Sequence, residues 1–233
     1  MKIAVIGATG GTGKKVIERA LGLGHEVIAV ARRPEAIAPI EGLTVRKGDV
    51  FDLPVMIQAI SGAEAVISCI GPPLNVSSTS AKKGLGNLSA GLSTMKANFS
   101  PGTVMSVGIP NIISACQHTG VKRMVMQSGI NLSDGREFSY VSRLAVHLMR
   151  RIFWKAIQDK HIAEQALIQS DLEWVIMRAS VLQYAEGNLE YTAGPLARIN
   201  PVAALPFADC ADGLVRAASS QPDWTGKIVN IGR

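Results

Sequence analysis

The sequence has few aromatic residues, and this scarcity excludes one class of function. Phe, Trp and Tyr together make up 5% of the 233 residues, too few for the base-stacking platforms of proteins that bind single-stranded nucleic acid. The formal charge of +6 comes from Lys and Arg residues that are scattered rather than gathered into runs. We therefore expect the basic charge to attract small anions, and we predict no nucleic-acid partner.

Cysteines and long apolar runs are also scarce. Cys69, Cys116 and Cys210 stand far apart and form no CxxC pair, which argues against a disulfide framework and against a zinc site. No apolar run approaches the ~20 residues that a membrane span needs, and the first apolar stretch ends at Gly7. We predict a cytoplasmic protein, a monomer or weak homo-oligomer, with neither a metal site nor a membrane partner.

What the sequence does contain is an alternation of short apolar runs, rich in Val and Ile, with longer amphipathic stretches. Such runs are typical of parallel strands buried on both faces, and their alternation with helices indicates a doubly wound sheet. The sequence predicts one α/β domain over 1–233, with a doubly wound parallel sheet of the Rossmann type. The predicted strands are KIAVIG, EVIAVA, LTVRKG, AEAVISCIG, KRMVMQSG, EWVIMRA and KIVNIG, and the predicted helices span about 11–23, 53–61, 101–119 and 141–170.

One long segment, about 72–100, lacks any sustained period and is rich in Ser, Gly, Asn and Lys. It lies within a stretch from Ala65 to Ser133 that contains no Asp or Glu. Loops longer than ~15 residues are uncommon in compact domains and tend to be lids or disordered segments. Because this one follows the fourth predicted strand, where ligands bind in open α/β sheets, two interpretations stand: a disordered insertion or a flap that covers a substrate.

The motif IGATGGTGKK, residues 6–15, joins the first predicted strand to the first predicted helix. Glycines at Gly7, Gly10 and Gly13 let the chain turn tightly, pass close to a pyrophosphate and pack the helix against the sheet. Thr12 and Gly13 would offer backbone N–H groups at a helix N-terminus, where an anion is favoured. The motif predicts a dinucleotide site.

The end of the second predicted strand indicates which dinucleotide binds. Sites for NAD usually place Asp or Glu there, whereas this sequence has Arg32 and Arg33, whose guanidinium groups match a 2′-phosphate. The sequence therefore favours NADP. Asp49 and Val50, at the end of the third predicted strand, are expected near the adenine, although Asp49 could instead only cap the helix that starts near Leu53.

These residues resemble the atypical short-chain dehydrogenase/reductases of the NmrA-like kind, and within them the biliverdin-IXβ reductase or flavin reductase group. The resemblance covers most of the chain, and its carriers are GATGGTG, the Arg after the second strand, GDVFD, AVISCIG, SPGTVMSVGIPNIISACQHTGVKRMVMQSG, DKHIAEQALIQSDLEWVIMRAS and FADCADGLV. It implies an active-site hydroxyl at Ser128. The resemblance also implies contacts with the cofactor. Together with the residues predicted from the glycine-rich motif and the strand ends, these contacts give the predicted cofactor-binding residues: Gly7, Thr9, Gly10, Gly11, Thr12, Gly13, Arg32, Arg33, Asp49, Val50 and Gly71.

The sequence departs from this family in two places that bear on chemistry. Alcohol-oxidising members use Tyr-x-x-x-Lys, in which the lysine lowers the tyrosine pKa, but Tyr140 is followed four residues later by Leu144. The Arg-Pro pair that often closes the sixth strand is Arg178-Ala179 here. A ketone–alcohol dehydrogenase of the usual mechanism is therefore not expected.

Hydride transfer from NADPH to a planar, conjugated small molecule such as a flavin, quinone or tetrapyrrole does not require this tyrosine, and we predict this reaction. Ser128 would donate a hydrogen bond to that acceptor or to the nicotinamide carboxamide. Two alternatives stay open: a non-catalytic NADP-binding redox sensor, and an isomerase or epimerase of nucleotide sugars. Lys160 and His161 are expected to be solvated or capping groups.

Overall fold

Ten strands and five α-helices build the part of the protein that the computed structural model describes, namely residues 1–71, 103–133 and 154–233. The predicted loop at 72–100 lies outside the described residues. The strands are β1 (Lys2–Ile6), β2 (Glu26–Ala31), β3 (Leu43–Lys47), β4 (Ala65–Ser68), β5 (Arg123–Gly129), β6 (Glu173–Ala179), β7 (Val181–Gln183), β8 (Thr192–Pro195), β9 (Ala204–Pro206) and β10 (Lys227–Gly232). The helices are α1 (Gly11–Gly22), α2 (Leu53–Ile60), α3 (Val104–Thr119), α4 (Trp154–Ile168) and α5 (Phe207–Ala218).

Eight of these strands form one sheet in the order β3-β2-β1-β4-β5-β6-β10-β8. Neighbouring strands are parallel except at the edge, where β8 runs antiparallel to β10. Strands β7 and β9 form a separate parallel pair. The predicted Rossmann-type sheet is confirmed, whereas the three short strands β7, β8 and β9 were not predicted, because segments of three or four residues carry no readable alternation.

The central strands are apolar throughout because helices cover both faces of the sheet. Successive side chains of β1 alternate between the two cores: Ile3 and Val5 pack with α1 and α5, and Ala4 and Ile6 pack with α2, α3 and α4. This is the reason why the strands read as continuous apolar runs.

Local capping sets several helix boundaries. Asp52 begins α2, with its carboxylate accepting a hydrogen bond from the Val55 N–H at 3.1 Å, so the alternative role of Asp49 as this cap is wrong. Helix α3 ends at Gly120, which has a φ of 76°. Of the helix predicted over 141–170, the described part is α4. No described helix is both long and apolar enough to cross a membrane.

Candidate functional site

The predicted site residues lie at one edge of the sheet, where five adjacent strands end. Because β3, β2, β1, β4 and β5 are parallel neighbours, their carboxyl ends meet there. The residues that follow these strand ends, or close them, are Gly7 and the turn to Gly13 after β1, Arg32 and Arg33 after β2, Asp49 and Val50 after β3, Gly71 after β4 and Ser128 in β5.

The turn after β1 is built on glycines that have no room for a side chain. Gly7 has a φ of 84°, and a Cβ atom there would lie 2.9 Å from the Cys69 carbonyl oxygen. A Cβ atom on Gly13 would overlap the Gly7 carbonyl oxygen, so this glycine lets α1 begin directly against the turn. Gly10 is the N-cap of α1, no side chain caps the helix, and its first turn contains no acidic residue. The positive end of α1 is thus left for an anion.

Two exposed arginines follow β2 at the same edge. Arg32 and Arg33 are both solvent-exposed, and neither guanidinium is paired with a carboxylate in the described part of the chain. Strand β3 continues the pairing here, since the Gly48 N–H donates to the Ala31 carbonyl oxygen at 3.0 Å. The two guanidinium groups are therefore free to bind a phosphate beside the turn.

The segment after β3 is fixed by helix α3. The Asn111 side-chain amide donates to the Val50 carbonyl oxygen at 2.8 Å. Gly108 brings α3 close, because a Cβ atom there would lie 2.9 Å from Val50 Cγ2. The Asp49 carboxylate accepts a hydrogen bond from the Phe51 N–H at 3.1 Å, which closes the local turn. Asn111 and Gly108 thus set the position of Val50 at the site edge.

Buried polar atoms without partners gather at the ends of β4 and β5. Ser68 Oγ, Gln127 Oε1, Ser128 Oγ and Asn131 Oδ1 have no hydrogen-bond partner among the described residues. Ser128 is 6% exposed and Ser68 is fully buried. A buried polar group without a partner costs free energy, so these atoms fit a polar ligand that supplies the missing bonds. The residues present thus fit a bound dinucleotide, with its anionic part at the turn and its polar ring near β5.

Lys160 of α4 reaches the same strand end. A Cβ atom on Gly129, the last residue of β5, would lie 3.1 Å from Lys160 Nζ and 2.7 Å from Asn131 Oδ1. Burial lowers the pKa of the Lys160 ammonium, and the Glu164 and Asp159 carboxylates oppose this shift. The expectation of a solvated or capping lysine is wrong, since the side chain is half-buried and its ammonium lies against the end of β5.

Other candidates belong to the structural framework. The Tyr191 hydroxyl donates to the Asp212 carboxylate, and burial raises the pKa of Tyr191. Asp209 does not cap α5 as predicted, because the helix begins at Phe207 and the buried carboxylate instead accepts from the Leu189 N–H at 3.0 Å. Burial raises the pKa of Cys116 and of Cys210 to about 12, so both thiols are unreactive. Tyr140 lies outside the described residues.

Sequence reasoning missed Asn111 and Asp159, the latter a residue of α4 that contacts α3. A weak signal existed for Asn111, a polar residue between the buried Ile109 and Ile112. For Lys160 the signal was its spacing of four residues from Glu164, which places both on one face of a helix. Neither signal indicates which other element the residue contacts.

Comparisons with known proteins identify a family for this chain and several similar proteins. A family model described as NAD(P)H-binding matches residues 7–221. An uncharacterized chloroplastic protein of Arabidopsis thaliana is 26% identical over 190 residues, which cover 78% of this chain and 59% of that protein. The isoflavone reductase homolog IRL of Zea mays is 34% identical over 80 residues, which cover 30% of this chain and 26% of that protein. The chain therefore spans less than two thirds of the length of these curated relatives.

Solved structures with the same fold cover the whole chain. A short-chain dehydrogenase/reductase from Veillonella parvula, determined in complex with NADP, has a TM-score of 0.74 at 16% identity, covering 100% of this chain and 94% of that one. ChuY, an anaerobilin reductase from Escherichia coli O157:H7, has a TM-score of 0.72 at 19% identity, covering 100% of this chain and 97% of that one. At these identities the likeness extends to the fold alone.

Proposed function

Because the chain belongs to the NAD(P)H-binding family, we propose that it is an NADPH-dependent reductase that transfers a hydride to a planar, conjugated acceptor such as a flavin, quinone or tetrapyrrole. The isoflavone reductase homolog among its relatives supports this class of reaction. The cytoplasmic location and the monomeric or weakly oligomeric state stay predictions from the sequence.

The observation that carries the proposal is the pair of hydrogen-bond donors at the end of β5. Ser128 Oγ is buried without a partner among the described residues, and Lys160 Nζ lies next to Gly129, the following residue. Both donors stand at the carboxyl edge, beside the strand ends that carry the glycine-rich turn and the arginines. A conjugated acceptor carries carbonyl or ring-nitrogen atoms that accept such bonds, and this supports its placement over β5.

The residues that would hold the dinucleotide are those predicted from the sequence. The N–H groups of the first turn of α1 would bind the pyrophosphate, Arg32 and Arg33 the 2′-phosphate, and Val50 the adenine. The exposed, unpaired guanidinium groups favour NADP(H) over NAD(H), since no described acidic residue stands at the end of β2 to bind the ribose hydroxyls. The bound nucleotide would supply the hydride.

Side chains of the protein would then stabilise the negative charge that develops on the acceptor. Ser128 and Lys160 would donate hydrogen bonds to its electronegative atom, where preorganised donors stabilise negative charge most effectively. The Lys160 ammonium would also release a proton to that atom and recover it from water, and burial favours this release because it lowers the pKa of the ammonium. This arrangement needs no tyrosine.

The test is an acceptor screen that follows NADPH oxidation by absorbance, with FMN, a benzoquinone and biliverdin as acceptors. We expect turnover with at least one of them. Lys160→Met and Ser128→Ala should each lower kcat by about tenfold, equivalent to roughly 1.4 kcal/mol, while the affinity for NADPH stays within about twofold.

The matched control is Lys227→Met, which removes an exposed lysine at the opposite, amino end of the sheet and should leave kcat unchanged. Tight NADPH binding without turnover of any acceptor would contradict the reductase proposal and favour the redox sensor. Loss of activity in Lys227→Met to the same extent would show that the effect is one of surface charge.

A further inference from the structure

Helix α4 carries two buried carboxylates, and each is bonded to a different neighbouring element. Asp159, 8% exposed, accepts hydrogen bonds from the N–H groups of Met105 at 3.2 Å and Ser106 at 2.9 Å, in the first turn of α3. Glu164, 1% exposed, pairs with Arg178 of β6 through contacts of 2.6 and 3.2 Å. Because a buried carboxylate without such partners is costly, both contacts resist rotation of α4 about its axis.

Lys160 lies between these two anchors in the sequence. It follows Asp159 directly and precedes Glu164 by one helical turn, so the rotation that satisfies both carboxylates also fixes the direction of the lysine. That direction places Nζ beside Gly129, at the end of β5. Loss of the bonds to α3 would leave Glu164 as the only bonded carboxylate of the two, and the packing of side chains such as the buried Leu167 would then be the remaining constraint on the rotation of α4.

We propose that Asp159 is a positioning residue, whose two hydrogen bonds to the first turn of α3 hold α4 in the rotation that keeps Lys160 at the carboxyl end of β5. This inference rests on the proposed function for its catalytic consequence, but its structural part can be tested without turnover. Asp159 touches neither the acceptor nor the nucleotide in this proposal and acts only through Lys160.

The charges around Lys160 give the proposal a specific signature. Its described charged neighbours are Asp159 and Glu164 on its own helix and, beyond Glu164, Arg178 on β6, whereas Gly129 and Asn131 at the end of β5 are uncharged. The Asp159 carboxylate raises the pKa of Lys160 and so partly offsets the lowering by burial. Removal of that charge alone should therefore lower the pKa of Lys160 further, whereas a turn of α4 that carries the ammonium into water should relieve the burial and raise the pKa.

The first measurement is the titration of Lys160 itself, by NMR of protein labelled with ¹³C at the lysine ε-carbon. The Lys160 signal is identified by its absence in Lys160→Met. We expect Asp159→Asn to raise the titration midpoint, because burial is the largest cause that lowers the pKa of Lys160 and a turn of α4 would relieve that burial. Asp159→Glu, which keeps the charge, should retain a midpoint close to that of the wild type.

Asp171→Asn is the matched control. The Asp171 carboxylate also bonds to α3, accepting from the Gln117 amide at 2.8 Å, but at the exposed far end of the helix. Its replacement should leave the Lys160 midpoint unchanged. A lowered or unchanged midpoint in Asp159→Asn would show that Lys160 stays buried at β5 without these bonds, which would overturn the proposal and leave Asp159 as a helix cap only.

The second measurement is kinetic and uses the acceptor found in the screen. Asp159→Asn should lower kcat by tenfold or more, up to about a hundredfold for a displacement near 1 Å, with little change in KM for NADPH. In Asp159→Asn/Lys160→Met the two losses should not add, because both act on one group. Additive losses would overturn the proposal. If the wild type reduces no acceptor, the reductase proposal fails and the lysine titration alone decides the role of Asp159.

Discussion

The guanidinium of Arg32 has no carboxylate partner in the described residues, so its binding energy is available to a ligand. Replacing Arg32 with Ala should weaken NADPH binding by about 1.5–3 kcal/mol, the range for a hydrogen bond to a charged group, and leave NADH binding nearly unchanged. Fluorescence titration with both nucleotides measures this difference. Lys122→Ala, at an exposed position on the amino side of β5, is the control, and equal losses for the two nucleotides would contradict the assignment.

Asn111 acts on the site through the backbone of Val50. Asn111→Leu keeps the size of the side chain but leaves the Val50 carbonyl oxygen without its donor, so we expect a several-fold rise in KM for NADPH and a loss of roughly 1–3 kcal/mol in the free energy of unfolding. Gln117→Leu, on the exposed end of the same helix, should change neither quantity by a comparable amount. An unchanged KM with lowered stability would limit Asn111 to a structural role.

Replacement of glycine by alanine should have opposite effects on stability at the two ends of helix α1. Gly13→Ala forces a methyl group against the Gly7 carbonyl oxygen and should cost about 1–3 kcal/mol of stability, with loss of nucleotide affinity because the turn must shift. Gly22→Ala, in the last turn, meets no neighbouring atom and should stabilise by about 0.4–1 kcal/mol. Chemical denaturation and nucleotide titration of both variants test this. Equal affinity in the two variants would show that the approach of α1 to the turn is not needed for binding.

Sequence patterns were sufficient to predict the bounds of some strands but not the role of every residue near a helix start. Strands β1 and β2 were predicted with their bounds correct to about one residue, because burial on both faces leaves an unbroken apolar run. Asp209 was misplaced because an acidic residue before an apolar stretch has the same pattern whether it caps the helix or lies in its first turn. The role of Asp209 depends on its contact with the Leu189 N–H, twenty positions away in the sequence.

For the whole molecule, binding of NADPH to the native state alone should raise stability by mass action. At a concentration one hundred times Kd the gain is about 2.7 kcal/mol, which corresponds to a rise in Tm of roughly 5–10 °C for a chain of this size. The rise should be smaller with NADH at the same concentration. A thermal scan with each nucleotide measures this, and equal shifts would contradict a preference for NADP(H).

The sequence by itself determined the parallel sheet and the glycine-rich turn, and it predicted that the ends of β2 and β3 form the nucleotide edge. These features are local: an apolar run, a glycine spacing and a residue at a strand end can be read without knowing what lies nearby. Tertiary structure alone decided that Lys160 meets β5, that Asp159 bonds to α3 and that Asn111 holds Val50. Each of these contacts joins elements distant in sequence, and the packing of whole helices, rather than any local period, fixes which side chains meet.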